Sequence, residues 1–186
     1  MTIEGAVRRA GFGLLLEGRR PTVAELAARA GIKEAEADAA VRGLVAAGRA
    51  TTAADGRLDG IAGLTVRPTR HAIEGTGGRL QTWCAFDAVA IPAALGWSAS
   101  AVTTCGGCGA VLRVTLEDGV PRGDAWGWLP PSDCDHVLDD FCAAADLYCD
   151  RRHLDAWRAT AADPPGEAHP VAALADLGRE AWADCL

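Results

Sequence analysis

Two cysteines and an aspartate hold the most legible chemistry in this chain: Cys84 and Asp87 in Thr82-Trp83-Cys84-Ala85-Phe86-Asp87, and Cys142 in Asp140-Phe141-Cys142-Ala143. A pair of thiols binds soft metals, and a carboxyl group beside them can move a proton. The combination points to chemistry on a thiophilic metal. Cys84 falls at the expected entrance of a helix, where unpaired N–H groups and the helix dipole favour a thiolate. Asp87 follows one turn on, so the two side chains share a face. Such spacing suits a handoff in which Cys84 loses its proton on binding metal and Asp87 delivers a proton to another atom. It is equally the spacing of a buried structural cysteine with an aspartate capping the helix, and C-x-x-D alone does not separate the two.

A second constellation is Cys105-x-x-Cys108, with Cys134 and His136 downstream. C-x-x-C is half of a zinc site and C-x-H a weak second half, although Gly106, Gly107 and Gly109 allow the tight knuckle such a site needs. The preferred reading is ordinary packing for Cys105 and an extra exposed thiol at Cys108, with a structural zinc the lesser alternative. Cys185 reads as a fortuitous terminal thiol, His71, His153 and His169 as surface or strand-edge residues outside any ligand spacing. Of six tryptophans, most read as core. Trp83, beside Cys84, is either a wall of an apolar pocket or a packing residue.

The elements that must position these groups follow from patterning. With 186 residues, 49% hydrophobic and 23% charged, the chain can bury one substantial core or divide into two small domains. Val7, Phe12, Leu14 and Leu15 mark a first helix before the Gly18-Arg19-Arg20-Pro21 break. Thr22 and Glu25 form the signature of a capping box opening a second helix to Gly31. A third runs from about Lys33 to Gly48. Ala50-Thr51-Thr52 and Leu58 to Val66 flank Asp55-Gly56, a hairpin signal. This order predicts a winged helix-turn-helix-like subdomain over 1–68. From 64 on, short strands (64–67, 71–74, 101–104, 110–116, 125–129) alternate with helices at 84–95, 155–162 and 170–185, and the second portion, 69–186, reads as an α+β fold with a mixed or antiparallel sheet and flanking helices.

Charge and cysteine content narrow the partners. Eighteen basic against 25 acidic residues give a net charge of −7, which works against a sequence-independent grip on phosphate backbones. Residues 1–60 hold nine basic and eight acidic side chains, and the third helix begins Lys33-Glu34-Ala35-Glu36-Ala37-Asp38, which would face phosphates with carboxylates. Nucleic acid is therefore not an expected partner. The uncharged stretch from Ala88 to Leu112 is broken by Pro92, Gly96 and the Cys105 knuckle, so no membrane span is expected. Seven cysteines and no secretory pattern at the start predict reduced thiols and a cytoplasmic location.

The stretch Arg79 to Asp87, followed by Ile91-Pro92-Ala93 and Leu95-Gly96, resembles the first active-site segment of the organomercurial (alkylmercury) lyases. The resemblance continues through Ser100 to Ala110, where Cys105 and Gly109-Ala110 match the family. It returns at Phe141-Cys142, where the family places its second catalytic cysteine, and at Trp157. The N-terminal helical subdomain and Gly63-Leu64-Thr65 agree with the family layout. Carried over, the resemblance implies that Cys84 and Cys142 bind mercury and that Asp87 delivers the proton, cleaving carbon–mercury bonds of small organomercurials without an organic cofactor. No nucleotide, flavin or heme motif is present in the sequence. It also implies handoff of Hg(II) to a mercuric reductase or to cytosolic thiols. One departure stands out: where the family commonly continues with another Cys and a His- and Phe-rich strand, this chain has Ala143-Ala144-Ala145-Asp146-Leu147-Tyr148-Cys149. Cys149 could stand in as a further mercury ligand or be buried elsewhere. That altered stretch keeps a rival in view, a non-catalytic soft-metal binder or relay of the same family. A metal-responsive DNA-binding regulator is the third reading.

Overall fold

The computed structural model describes residues 2–162 and 164–185. Three helices lead: α1 (Ile3–Leu16), α2 (Val23–Ala30) and α3 (Glu34–Ala46). Thr22 caps α2 with the reciprocal Glu25 bond that its sequence predicts. Val7, Phe12, Leu14 and Leu15 of α1 pack with Leu26, Val41 and Leu44 into the main core.

Strands β1 (Ala50–Thr52) and β2 (Leu58–Ile61) form the expected hairpin. The run 58–66 is not one strand, however. It breaks at Ala62 and Gly63, both at positive φ (50° and 85°), and reverses into β3 (Leu64–Thr65). β4 (Ala72–Gly75) and β5 (Gly78–Thr82) follow, then helix α4 (Ala85–Leu95). Next come β6 (Ala99–Thr104), β7 (Val111–Glu117), β8 (Val120–Pro121) and β9 (Trp126–Leu129). A π-helical turn spans Val137–Cys142 before β10 (Asp146–Tyr148), α5 (Arg151–Thr160), β11 (Glu167–Pro170) and α6 (Val171–Ala181). Ala183–Cys185 adds a 3₁₀ turn.

The fold is α+β. An antiparallel eight-stranded sheet runs β1-β2-β3-β5-β4-β6-β7-β8, and a second sheet runs β10-β9-β11. Because β3 pairs with β5, the larger sheet continues across position 68. Helix α4 is apolar on every side except at Asp87, and such a helix must be wrapped. The sheet covers it on one side and α6 on another, with Ala85 to Ala93 all buried. Pro92 interrupts its bonding and Gly96 ends it in the left-handed conformation.

Four strands depart from the sequence-based expectation: β5, β8, β10 and β11. β8 and β10 have two and three residues, too few to show a period. β11 ends in Pro170, which an edge strand tolerates. Helix α5 starts four residues before the expected Asp155, because the Asp150 carboxylate accepts the His153 N–H at 3.0 Å and caps it. Among the described residues, no helix is long and apolar enough to cross a membrane.

Candidate active site

Cys84 is the N-cap of α4, held in extended backbone (φ −140°, ψ 174°) by the end of β5. The buried Thr82 hydroxyl donates to the Cys84 carbonyl at 3.1 Å and fixes its orientation. Asp87, three residues on, closes a capping box: its Oδ2 accepts both the Cys84 N–H (3.1 Å) and the Cys84 thiol (3.2 Å). One carboxylate oxygen therefore serves as helix cap and as acceptor of the thiol proton. The cap and the proton-transfer readings of C-x-x-D thus draw on two contacts of one oxygen.

Cys142 arrives from the other side of the fold, at the end of the π-helical turn, whose first N–H (Val137) donates to the Ala47 carbonyl after α3. Widened turns of this kind are frequent at functional sites. The Cys84 and Cys142 sulfurs and an Asp87 oxygen all lie within 4.8 Å of one another. Cys84 is 0%, Asp87 4% and Cys142 8% exposed.

That depth sets the protonation states. Burial pushes the Cys84 thiol well up, reinforced by its hydrogen bond with Cys142 and by the Asp87 charge. The helix start that favours a thiolate is thus opposed by desolvation, which keeps the proton on Cys84 for a handoff on metal binding. Burial also raises the Asp87 carboxyl, from 3.8 to about 7, against the lowering by its two bonds from Cys84. A carboxyl group poised near neutrality can take a proton and return it.

Gly63, absent from the sequence-based site, completes the cradle. A Cβ there would stand 2.8 Å from the Asp87 carboxyl and 3.0 Å from the Trp182 ring, at a φ of +85° that side chains rarely adopt. The turn is clamped by the Trp182 indole N–H to the Ala62 carbonyl (2.9 Å) and the Trp83 N–H to the Gly63 carbonyl (2.8 Å). Gly63→Ala is expected to displace the carboxylate and to slow any proton transfer through Asp87 about 10²-fold, the scale of a small misplacement of a reacting group. Steady-state kinetics on the folded variant check this, and unchanged turnover would show that the carboxyl position is not critical.

Phe86 and Phe141, sequence neighbours of the site, meet edge to face at 6.0 Å, and Phe86 also contacts Trp182 at 5.8 Å. They line one side of a cavity of about 810 Å³ that Leu129, Pro130 and Leu177 also border. Trp83 is not among its walls; its indole lies against Gly60.

The remaining thiols divide. Cys149 is not in the Cys84 group but in a second cluster with Cys105, Cys108 and His153, which Cys134 and His136 do not join. His136 instead caps the π-helical turn, accepting the Asp139 N–H. Burial works against ionisation of Cys105, but the N–H groups of Cys108, Cys149 and Gly107 outweigh it and draw the thiol down to about 6. His71, expected at a strand edge, is buried: its Nδ1 pairs with the Thr103 hydroxyl at 2.7 Å, and burial and Arg70 lower it to about 4. Cys185 is buried in the main core.

The profile of the alkylmercury lyase (MerB) family matches residues 64–183, more than half of the chain and all of the cysteine–aspartate site. The chain belongs to the alkylmercury lyase family. It is 30% identical over 121 residues to the alkylmercury lyase of Pseudomonas putida, covering 62% of this chain and 56% of that one. To the Staphylococcus epidermidis enzyme it is 30% identical over 132 residues (67% and 58%), and to the Streptomyces lividans enzyme 44% over 62 residues (33% and 28%). The matched stretch thus spans little more than half of the longer-matching curated relatives. The fold is that of the mercury-bound form of MerB2, with a TM-score of 0.91 over all of this chain and 93% of that one at 20% identity.

Proposed function

We propose that this chain is an organomercurial lyase that cleaves the carbon–mercury bond by protonolysis, giving a hydrocarbon and Hg(II). The observation that carries this reading is the contact of the Cys84 thiol with Asp87 Oδ2 beside a second buried thiol. In the reaction, an organomercurial R–Hg–X enters with its organic group toward Phe86 and Phe141. The Cys142 sulfur displaces X, and its proton leaves with X. The Cys84 sulfur then bonds to mercury while its proton passes 3.2 Å to Asp87. Each thiolate raises electron density at the metal-bound carbon. Asp87 protonates that carbon, the carbon–mercury bond breaks, and R–H departs. Two thiol protons enter and two leave, one in R–H and one in HX. Hg(II) remains between Cys84 and Cys142, and no organic cofactor is required.

The product sits in a buried site, so its release calls for ligand exchange with incoming thiols, free or on a mercuric reductase. Thiol-rich cytoplasm suits such a partner, and all seven cysteines are free. We further read residues 1–68 as a winged-helix-like subdomain that braces a catalytic portion, 69–186. Several of its basic side chains pair within it: Arg19 and Arg57 with Glu25, Arg20 with Asp55, Arg29 with Glu17, Arg42 with Asp38 and Arg67 with Asp59. That pairing and the acidic start of α3 argue against a nucleic-acid partner.

Incubating the purified protein with an arylmercury salt under excess small thiol tests the central claim. Arene release in step with Hg(II) formation is expected. Tight mercury binding without arene would favour the soft-metal relay, the reading that the altered stretch after Cys142 keeps in view.

A further inference from the structure

The second thiol cluster has no part in the chemistry above. Cys105, Cys108, Cys149 and His153 bring three sulfurs and an imidazole nitrogen within 4.8 Å of one another, from three separate places in the fold. Cys105 and Cys108 flank the turn between β6 and β7. Cys149 follows β10, and His153 lies in the first turn of α5. We propose that these four side chains bind a structural zinc ion.

The donor set and its geometry carry the proposal. Zinc takes four ligands tetrahedrally at about 2.3 Å for sulfur and about 2.0 Å for imidazole nitrogen, which sets neighbouring donors roughly 3.5–3.8 Å apart. Cys105 Sγ stands 3.6 Å from His153 Nδ1, and Cys108 Sγ 4.0 Å from Cys149 Sγ. Two opposite edges of a tetrahedron are therefore nearly in place, and the other donor pairs lie within 4.8 Å. Three thiols and one imidazole leave no open position, which marks a structural rather than a catalytic metal.

The backbone is shaped for the same purpose. Gly109 N–H donates to the Cys105 carbonyl (2.9 Å), closing the knuckle, and Gly106 N–H donates to Leu147 of β10 (2.9 Å). A Cβ on Gly107 would meet the His153 Cβ and carbonyl oxygen at 3.0 Å, so the knuckle is pressed on the start of α5. The Cys149 N–H points at Cys105 Sγ at 3.4 Å, an arrangement that stabilises a bound thiolate.

Location gives the ion a task. Cys105, Trp128, Tyr148 and Leu154 form a small cluster separate from the main core. Of α5, only Leu154 is buried, so a metal cross-link would tie its first turn to the Cys105 knuckle and the end of β10. It would also anchor the chain seven residues beyond Cys142, in the stretch where this sequence departs from its family.

The test is the zinc content of the full chain, purified without chelators after growth with added zinc, then titrated with zinc alone. About one zinc per chain is expected for the wild type and for Cys84→Ser/Cys142→Ser, and a loss of most of it in Cys108→Ser and His153→Ala. Cys108 is exposed, so its serine variant has little reason to misfold; circular dichroism verifies this. Chelator should lower the melting temperature of the wild type by several degrees and leave Cys108→Ser unmoved. A wild type that neither retains nor takes up zinc overturns the proposal. So does zinc that vanishes with Cys84 and Cys142 but survives loss of Cys108, and zinc removable without any change in melting overturns its structural role. None of these readouts involves organomercurial turnover, so the outcome is independent of the lyase reading.

Discussion

Cys84→Ala and Cys142→Ala proteins are each expected to release no measurable arene from an arylmercury salt, while folding as the wild type does. The proposed mechanism gives the two sulfurs different work and makes neither dispensable. In the proposed mechanism Cys142 supplies the first bond to mercury, and Cys84 the second bond together with the proton that passes to Asp87, 3.2 Å from its sulfur. Without Cys142, the buried pair of Cys84 and Asp87 loses the partner that completes a two-thiolate grip. Without Cys84, Asp87 loses the proton donor and the organic group stays on mercury. Each truncation also leaves a small void, worth about 1 kcal/mol of stability, so thermal melting separates a chemical from a structural loss. Equal turnover by Cys142→Ala and wild type would remove the two-thiol mechanism. Cys105→Ala makes the contrast: its thiol lies outside the trio, and the expected effect is a lower melting temperature with turnover per folded molecule retained.

What the sequence discloses about this site depends on how local each interaction is. The Thr22–Glu25 box and the Cys84–Asp87 pair are three-residue relationships, so their geometry follows once a helix start is recognised. Convergence of Cys142 on that pair is not local. It depends on a π-helical turn pinned to the end of α3, and only the family resemblance pointed to it. The strand β10 escaped notice because three residues show no period and pairing to β9 is set by tertiary packing.

Two features of these sites are decided away from the local sequence. The Cys105 knuckle reads in the sequence only with Cys134 and His136 downstream, whereas the fold brings Cys149 and His153 to it, and spacing could not say which segment folds back. Likewise the helix terminus that favours a thiolate at Cys84 is a local feature, whereas the complete burial that raises its thiol is not. Gly63 did carry a signal, a glycine interrupting an apolar run, but its role exists only because Asp87 comes to rest against it.

Asp87→Asn distinguishes protonolysis from mere metal binding. Asparagine keeps the size of the side chain and an oxygen for the Cys84 N–H, but it cannot carry a proton from sulfur to carbon. Cleavage should therefore fall by about 10²–10⁴, the usual worth of a positioned acid–base group. Retention of Hg(II) against excess small thiol should persist, judged against a Cys84→Ala/Cys142→Ala control that corrects for the other five cysteines. In D₂O, the wild-type hydrocarbon must carry one solvent-derived deuteron on the carbon that held mercury. Stability should move the opposite way. A carboxyl raised by burial from 3.8 to about 7 binds its proton more tightly folded than unfolded, so its contribution is complete below about pH 4 and is lost as pH rises through about 7. The neutral amide escapes that loss. Asp87→Asn should thus melt higher than wild type at pH 8, and the gap should narrow toward pH 5. A variant more stable and nearly inactive at pH 8 identifies a carboxyl group kept in an apolar site for its chemistry. Full cleavage by Asp87→Asn, or arene released without deuterium, would falsify proton delivery by Asp87 and leave it only the capping of α4.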